Sequence, residues 1–265
     1  MIPRALTIAG SDSGGGAGIQ QDLKTFQAHG VWGMSAITAV TVQNTIGVSG
    51  FVELPADTVA AQIEAVASDI GVDAAKTGML ANAAIVEAVA GAVRDAEIDR
   101  LVVDPVFISK HGDPLLRSDA VDALRSQILP LALIVTPNAH EAAELAGASV
   151  KTRADQVESA RAILALGPRA VLVKGGHVDG REAVDVLATA DGVVEIAGPR
   201  IDSPNTHGTG CMLSAGIAAC LAKGMHLEAA VRESKLFVTG AIEHSLAIGK
   251  GIGPVNPSWR LEAGE

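Results

Sequence analysis

Ala5-Leu6-Thr7-Ile8-Ala9 is followed by Gly10-Ser11-Asp12-Ser13-Gly14-Gly15-Gly16-Ala17-Gly18, and then by Ile19, Leu23 and Phe26 at helical spacing up to His29-Gly30. An apolar run of strand length, a glycine-rich turn and an amphipathic helix make one β-loop-α unit. Outward from it the alternation continues. Strand candidates are Met34–Val42, Ala74–Thr77, Leu101–Asp104, Leu133–Thr136 and Ala170–Lys174. Helices are expected from a cap at Asp57 through Val59, Ile63 and Val66 to about Gly71, from Asn82 to Val93, and from a cap at Ser118 to Ile128. Others run from about Ala154 to Leu166 and from Leu227 to about Ile248. Strands alternating with helices predict an α/β fold with a mostly parallel central sheet covered on both faces. Ala183–Ala188 and Val193–Ala197, joined across Asp191-Gly192, predict a small edge hairpin. No linker or repeat divides the chain, so residues 1–265 read as a single domain.

Composition narrows the function. The net charge is −10, from 30 acidic against 20 basic residues, which disfavours a nucleic-acid partner. Aromatic residues make up 2% and Tyr is absent, so a base-stacking platform is not expected either. No apolar run reaches membrane-spanning length and no signal peptide is apparent. The only cysteines, Cys211 and Cys220, fall nine apart on one expected helix, roughly 13 Å from each other, too far for a disulfide. A cytoplasmic enzyme acting on small molecules is the economical expectation.

Six polar segments fall at the carboxyl ends of expected strands, where ligands bind in open α/β sheets. They are Gly10–Gly18, Gln43-Asn44-Thr45, Thr77-Gly78-Met79, Asp104-Pro105, Thr136-Pro137-Asn138 and Lys174-Gly175-Gly176-His177. The glycine segment gives no G-x-G-x-x-G frame, and no G-x-x-x-x-G-K-[ST] occurs, so neither a Rossmann site nor a P-loop is supported. Asp22 can reach the same space, or simply offset the helix dipole. Asn138 and Glu141 share one side of a helix start, which suits a hydrated Mg²⁺ or a capping box. Lys174 ends an apolar strand and needs a phosphate or a carboxylate.

Asn205-Thr206-His207-Gly208-Thr209-Gly210-Cys211 opens a long apolar helix carrying Leu213, Ile217 and Leu221. Glycines at a helix N-terminus let an anion approach unpaired amides, and the same field is expected to favour the Cys211 thiolate. The alternative is a glycine-softened helix start before a structural cysteine.

Together these segments resemble the hydroxymethylpyrimidine/phosphomethylpyrimidine kinases of thiamine biosynthesis, in the ribokinase-like superfamily. The similarity runs from Ala5–Asp12 to Gly251-Ile252-Gly253-Pro254-Val255 and is most specific at Gly14–Gln20, Thr136–Asn138, Val173–His177 and Asn205–Cys211. It implies a ribokinase-like sheet with ATP and substrate at its carboxyl edge. It also implies phosphorylation of 4-amino-5-hydroxymethyl-2-methylpyrimidine to the monophosphate and then the pyrophosphate. By position, Cys211 would be the base, Gly208, Thr209 and Gly210 the anion hole, and Lys174 a partner in charge neutralisation. Asn138 and Glu141 would serve Mg²⁺. Ala17, Asp22, Gln43, Met79 and Val106 would line the pyrimidine pocket, and Thr206, His207, Gly208 and Lys235 would meet ATP. A homodimer is implied as well. Two departures stand out: the position of Gln43 can also carry Glu in that family, and Phe107–Gly112 is bulkier than expected. A pyridoxine/pyridoxal kinase of the same branch is the nearest rival, but Val42-Gln43-Asn44-Thr45 resembles the pyrimidine kinases. A non-catalytic pyrimidine or nucleotide sensor is a second rival, and the retained glycines, Cys211, Asn138 and Glu141 argue against it.

Overall fold

A computed structural model of the protein describes residues 2–107, 118–176, 178 and 182–262. His177 and most of the bulky Phe107–Gly112 segment therefore lie outside the described residues. The strands are β1 (Arg4–Ser11), β2 (Trp32–Gln43), β3 (Val48–Glu53), β4 (Ala74–Thr77), β5 (Leu101–Val103), β6 (Ile134–Val135), β7 (Ala170–Val173), β8 (Glu182–Thr189) and β9 (Gly192–Pro199). They form one sheet in the order β3-β2-β1-β4-β5-β6-β7-β8-β9. β2, β1, β4, β5, β6 and β7 pair in parallel, while β3, β8 and β9 are antiparallel additions at the two edges.

Side chains alternate across the central strands and build two cores. Leu6, Ile8, Leu101, Val103, Val171 and Val173 face one layer, and Ala5, Val102, Ala170 and Leu172 face the other. α1 (Gly18–Ala28) buries Phe26 in the second layer. α2 (Ala56–Asp69) and α3 (Ala83–Asp95) cover the first with Val59, Ile63, Ile85 and Val89. α4 (Ser118–Ala123) runs into a wider π turn over Leu124–Ile128, and α5 (Ala139–Ala146) and α6 (Arg153–Leu164) complete that face. α7 (Thr209–Ala222) and α8 (Leu227–Glu243) close the second layer, followed by the short α9 (Trp259–Glu262). From Met212 to Ala222 every α7 residue is buried, because α1 and α8 flank it while β1, β4 and β5 lie beneath.

Four local expectations need correction. β3 was not expected, since Gly50 interrupts its apolar pattern and one face is open to solvent. α2 begins after Pro55 without a side-chain cap, and Asp57 sits inside the first turn, accepting from the Thr58 amide at 2.7 Å. Ser118 opens α4 rather than preceding it. α8 stops at Glu243, where the chain turns back toward Pro254, short of Ile248.

Candidate active site

All six carboxyl-end segments contribute residues to one cleft of about 850 Å³. Its first wall is the glycine loop after β1. The Asp12 carboxylate organises that loop by accepting from the amides of Gly14 (2.8 Å), Gly16 (3.1 Å) and Ala17 (2.8 Å). Burial would raise the Asp12 carboxyl, but hydrogen bonds from His207 and these amides outweigh it and hold it below the usual range. His207 Nε2 meets Asp12 Oδ2 at 2.9 Å, tying the loop to the segment before α7.

That segment turns at Gly208, whose φ of +83° is left-handed. A Cβ there would lie 1.8 Å from the Gly16 carbonyl oxygen. Gly208→Ala is expected to cost about 2–5 kcal/mol, from left-handed strain plus displacement of the glycine loop. Gly224 has φ +84° with nothing within 4 Å of a Cβ, so Gly224→Ala isolates the strain alone. Urea unfolding of both checks this; equal losses would remove the packing argument. The Thr209 hydroxyl donates to the Thr206 carbonyl at 2.7 Å, and Gly210 and Cys211, in the first turn of α7, come too early for their amides to reach an intrahelical acceptor.

Opposite them stand Lys174 and Asp104, each at the end of a buried strand. Lys174 Nζ lies 3.0 Å from Asp104 Oδ1 and 3.8 Å from Glu141 Oε2. Thr136 and Ser214 hydroxyls donate to the two Asp104 oxygens at 3.2 and 3.3 Å. A Cβ on Gly210 would sit 3.5 Å from Lys174 Nζ, so the α7 start and this ammonium flank the same space. Of the two partners open to Lys174 in sequence, a carboxylate is present. Burial foremost, aided by the charge of Asp104, pushes the Glu141 carboxyl up to about 7 against the pull of Lys174 and the Asn138 amide.

Asn138 and Glu141 form a complete capping box on α5. Asn138 Oδ1 accepts from the His140 and Glu141 amides at 2.9 Å, and Glu141 Oε2 accepts from the Asn138 amide at 2.7 Å. Among the described residues no group of three or more His, Cys, Asp or Glu side chains could hold a metal ion. Asn138 and Glu141 both border the cleft, and Glu141 is the carboxylate of the pair.

Beneath the cleft floor lies a second ion pair. Lys76 Nζ is 2.8 Å from Asp22 Oδ2, both side chains being wholly buried, and the Thr7 hydroxyl donates to the same oxygen at 2.6 Å. Asp22 is thus not a wall residue; it stands behind Lys76, which does reach the cleft. Cys211 borders the cleft above this pair, and its thiol departs from the expected behaviour. Burial raises it to about 11, overcoming Lys76 and the Gly18 amide, with Asp22 and Asp104 adding to the rise. Desolvation opposes the helix-terminus field at a thiol that stays partly exposed to the cleft, and it shifts the balance toward the protonated form.

Gln43, Ala17, Met79, Val106, Thr206, His207, Gly208, Thr209 and Gly210 all border the cleft. Lys235 does too, but its ammonium is engaged by Asp185 Oδ2 (2.7 Å) and the Ala183 carbonyl (2.8 Å).

With this geometry in hand, comparison with known proteins is informative. A family model described as phosphomethylpyrimidine kinase matches residues 12–256. The chain belongs to the phosphomethylpyrimidine kinase family. The hydroxymethylpyrimidine/phosphomethylpyrimidine kinase of Streptomyces coelicolor is 51% identical over 259 residues, covering 98% of this chain and 96% of that one. Phosphomethylpyrimidine kinase from Clostridium difficile superposes with a TM-score of 0.81 at 44% identity, covering 91% and 100%. An ADP complex of Bacillus subtilis pyridoxal kinase gives 0.91 at 40% identity, covering 98% and 100%. The chain is accordingly a kinase with a ribokinase-like fold, and no helix among the described residues is long and apolar enough to cross a membrane.

Within this family member, Lys76 escaped sequence reasoning, while Asp12 and Asp104 fell in segments expected at the site but were given no role of their own. Lys76 and Asp104 each had a signal. Asp104 and Lys174 terminate the matching apolar runs Leu101-Val102-Val103 and Val171-Leu172-Val173, and Lys76 interrupts a strand of small residues. A charge embedded in a buried strand demands a partner.

Proposed function

We propose that the chain transfers phosphate from ATP to the 5-hydroxymethyl group of 4-amino-5-hydroxymethyl-2-methylpyrimidine, and then a second phosphate to that product, giving the pyrophosphate. The observation that carries this reading is the convergence of the α7 start, Lys174 and Gln43 on one cleft. Phosphoryl transfer depends on positioning and charge neutralisation more than on covalent participation by the protein. The amides at Gly208–Cys211 neutralise the transferring phosphoryl oxygens, and Lys174 supplies a fixed positive charge beside them. Mg²⁺ would be held by Glu141 and the phosphates, adding Lewis-acid neutralisation. Gln43 offers both a donor and an acceptor to the ring-nitrogen and amino edge. Cys211 takes the hydroxyl proton in the first transfer through its thiolate form; in the second the nucleophile is already a phosphate and needs little base. A homodimer belongs to the same reading, and the exposed Val42, Ile46 and Val52 around the β2–β3 edge give a second copy an apolar surface to cover.

The TM-score of 0.91 to a pyridoxal kinase supports a secondary activity on pyridoxal. Phosphorus NMR of products from the pyrimidine, its monophosphate and pyridoxal tests the assignment. Both pyrimidines are expected to proceed to the pyrophosphate, with little pyridoxal turnover. Preferential pyridoxal turnover would move the function to vitamin B6 phosphorylation.

A further inference from the structure

Strand register and layer packing bring three titratable side chains together under the cleft. Lys76 on β4 lies opposite Thr7 of β1 and Val102 of β5. It shares the strand face of Ala74, so its side chain enters the layer that α1 and α7 cover. From α1 comes Asp22, whose Oδ2 takes the Lys76 ammonium at 2.8 Å and the Thr7 hydroxyl at 2.6 Å. From the first turn of α7 comes Cys211, which borders the cleft as Lys76 does. An ammonium has three hydrogens; one goes to Asp22, and no other described residue accepts a hydrogen bond from Lys76. Burial would lower the Lys76 ammonium, but Asp22, Cys211 and Asp104 outweigh it and hold it above the usual range, so its charge is permanent. The other charges near Cys211 serve a thiolate less well. Asp22 and Asp104 oppose it, and Lys174 is taken up by Asp104 at 3.0 Å and Glu141 at 3.8 Å. Lys76 is the strongest influence set against burial of the thiol, ahead of the Gly18 amide.

We propose that Lys76 is a positioning residue for the first phosphorylation, acting through Cys211: its buried ammonium stabilises the thiolate that receives the hydroxyl proton, and Asp22 holds that ammonium in place while limiting its effect. As the new oxygen–phosphorus bond forms and the bond to the leaving ADP breaks, the hydroxyl proton passes to Sγ. The neutral thiol then returns it to solvent. Stability alone does not account for the ion pair, since apolar side chains of similar volume often serve a buried site as well. Its place between α1 and the first turn of α7 gives it a catalytic reason. The proposal deepens the pyrimidine-kinase reading and rests on it for the substrate.

The first test needs no substrate. Cys211 ionisation is followed between about pH 8 and 10 by iodoacetamide alkylation, and by ultraviolet thiolate absorbance read against Cys211→Ala in the same background. Asp22→Asn keeps the ammonium and removes its opponent, so the thiolate fraction is expected to rise about threefold to tenfold at each pH. Lys76→Met/Asp22→Leu removes both. Because Lys76 outweighs Asp22 at the thiol, the fraction is expected to fall, by about threefold. A merely structural pair would loosen the site and quicken alkylation in both variants without moving the absorbance; that result, or no change in either, overturns the proposal. If one variant fails to fold, the other decides alone. The second test is kinetic. The double variant is expected to lose about threefold in kcat for hydroxymethylpyrimidine, with phosphorylation of the monophosphate little changed. Equal losses in both steps with unchanged alkylation would put Lys76 to work on the phosphoryl group and overturn the route through Cys211. If the unaltered enzyme turns over neither pyrimidine, the substrate assignment fails while the ionisation result still decides this proposal.

Discussion

Lys76→Met is expected to destabilise the fold by about 3–5 kcal/mol, read as a drop in the urea midpoint at constant slope. The cause is specific. Lys76 and Asp22 are wholly buried with 2.8 Å between Nζ and Oδ2, and removing the ammonium strands a carboxylate in a dry interior. The loss should depend on pH. Burial already pushes the Asp22 carboxyl upward, and Lys76 is the main opposing influence. Without it the folded-state value rises further above the unfolded one. A carboxyl with a raised folded value stabilises below its unfolded pKa and loses that contribution as pH climbs through the folded value. The variant is thus expected to come nearest to the parent in mild acid and to fall furthest behind at neutral and higher pH. Adding Asp22→Leu should recover more than half of the loss, because an apolar pair of similar volume removes the stranded charge. If the double variant is as unstable as Lys76→Met alone, packing rather than charge is responsible.

The architecture was legible because its signals are local. Apolar strands ending in Asp104 or Lys174, the Asp191-Gly192 signal at the Ala190-Asp191 turn between β8 and β9, and the cap at Asn82 each lie within a few residues of what they determine. The site was only partly legible, for a related reason. Its ion pairs join residues far apart in the chain: Lys76 with Asp22 across 54 positions, Lys174 with Asp104 across 70, His207 with Asp12 across 195. Spacing marks a buried charge as needing a partner but does not say which one. β3 escaped notice because an exposed edge strand containing Gly50 carries little periodic signal. The Cys211 thiol was misjudged where two effects oppose one another. The helix field is visible in sequence, whereas the burial that outweighs it comes from packing.

That raised thiol leads to the largest expected effect on activity. Cys211→Ala is expected to leave the fold intact and to slow the first phosphorylation by about 10²–10⁴-fold, the usual contribution of a positioned general base. The second phosphorylation should fall much less, because its phosphate nucleophile is already ionised. The contrast between the two steps separates a proton acceptor from a mere wall of the anion hole, whose loss would slow both alike. With a pKa of about 11, Cys211 is almost entirely a thiol at neutral pH. Only its small thiolate fraction can accept the hydroxyl proton, so the Cys211-dependent rate of the first step is expected to climb with pH toward 10. Alkylation by iodoacetamide, followed by mass spectrometry of the Cys211 peptide, reports the thiolate directly. Its rate should rise about tenfold per pH unit from neutrality toward pH 10, since only the thiolate reacts. Cys220 does not interfere, being 1% exposed. A plateau near pH 8 would restore the helix-dipole picture. Unchanged kinetics of Cys211→Ala in the first step would leave the amides and Lys174 to carry the transfer, with the proton leaving by way of the phosphate itself.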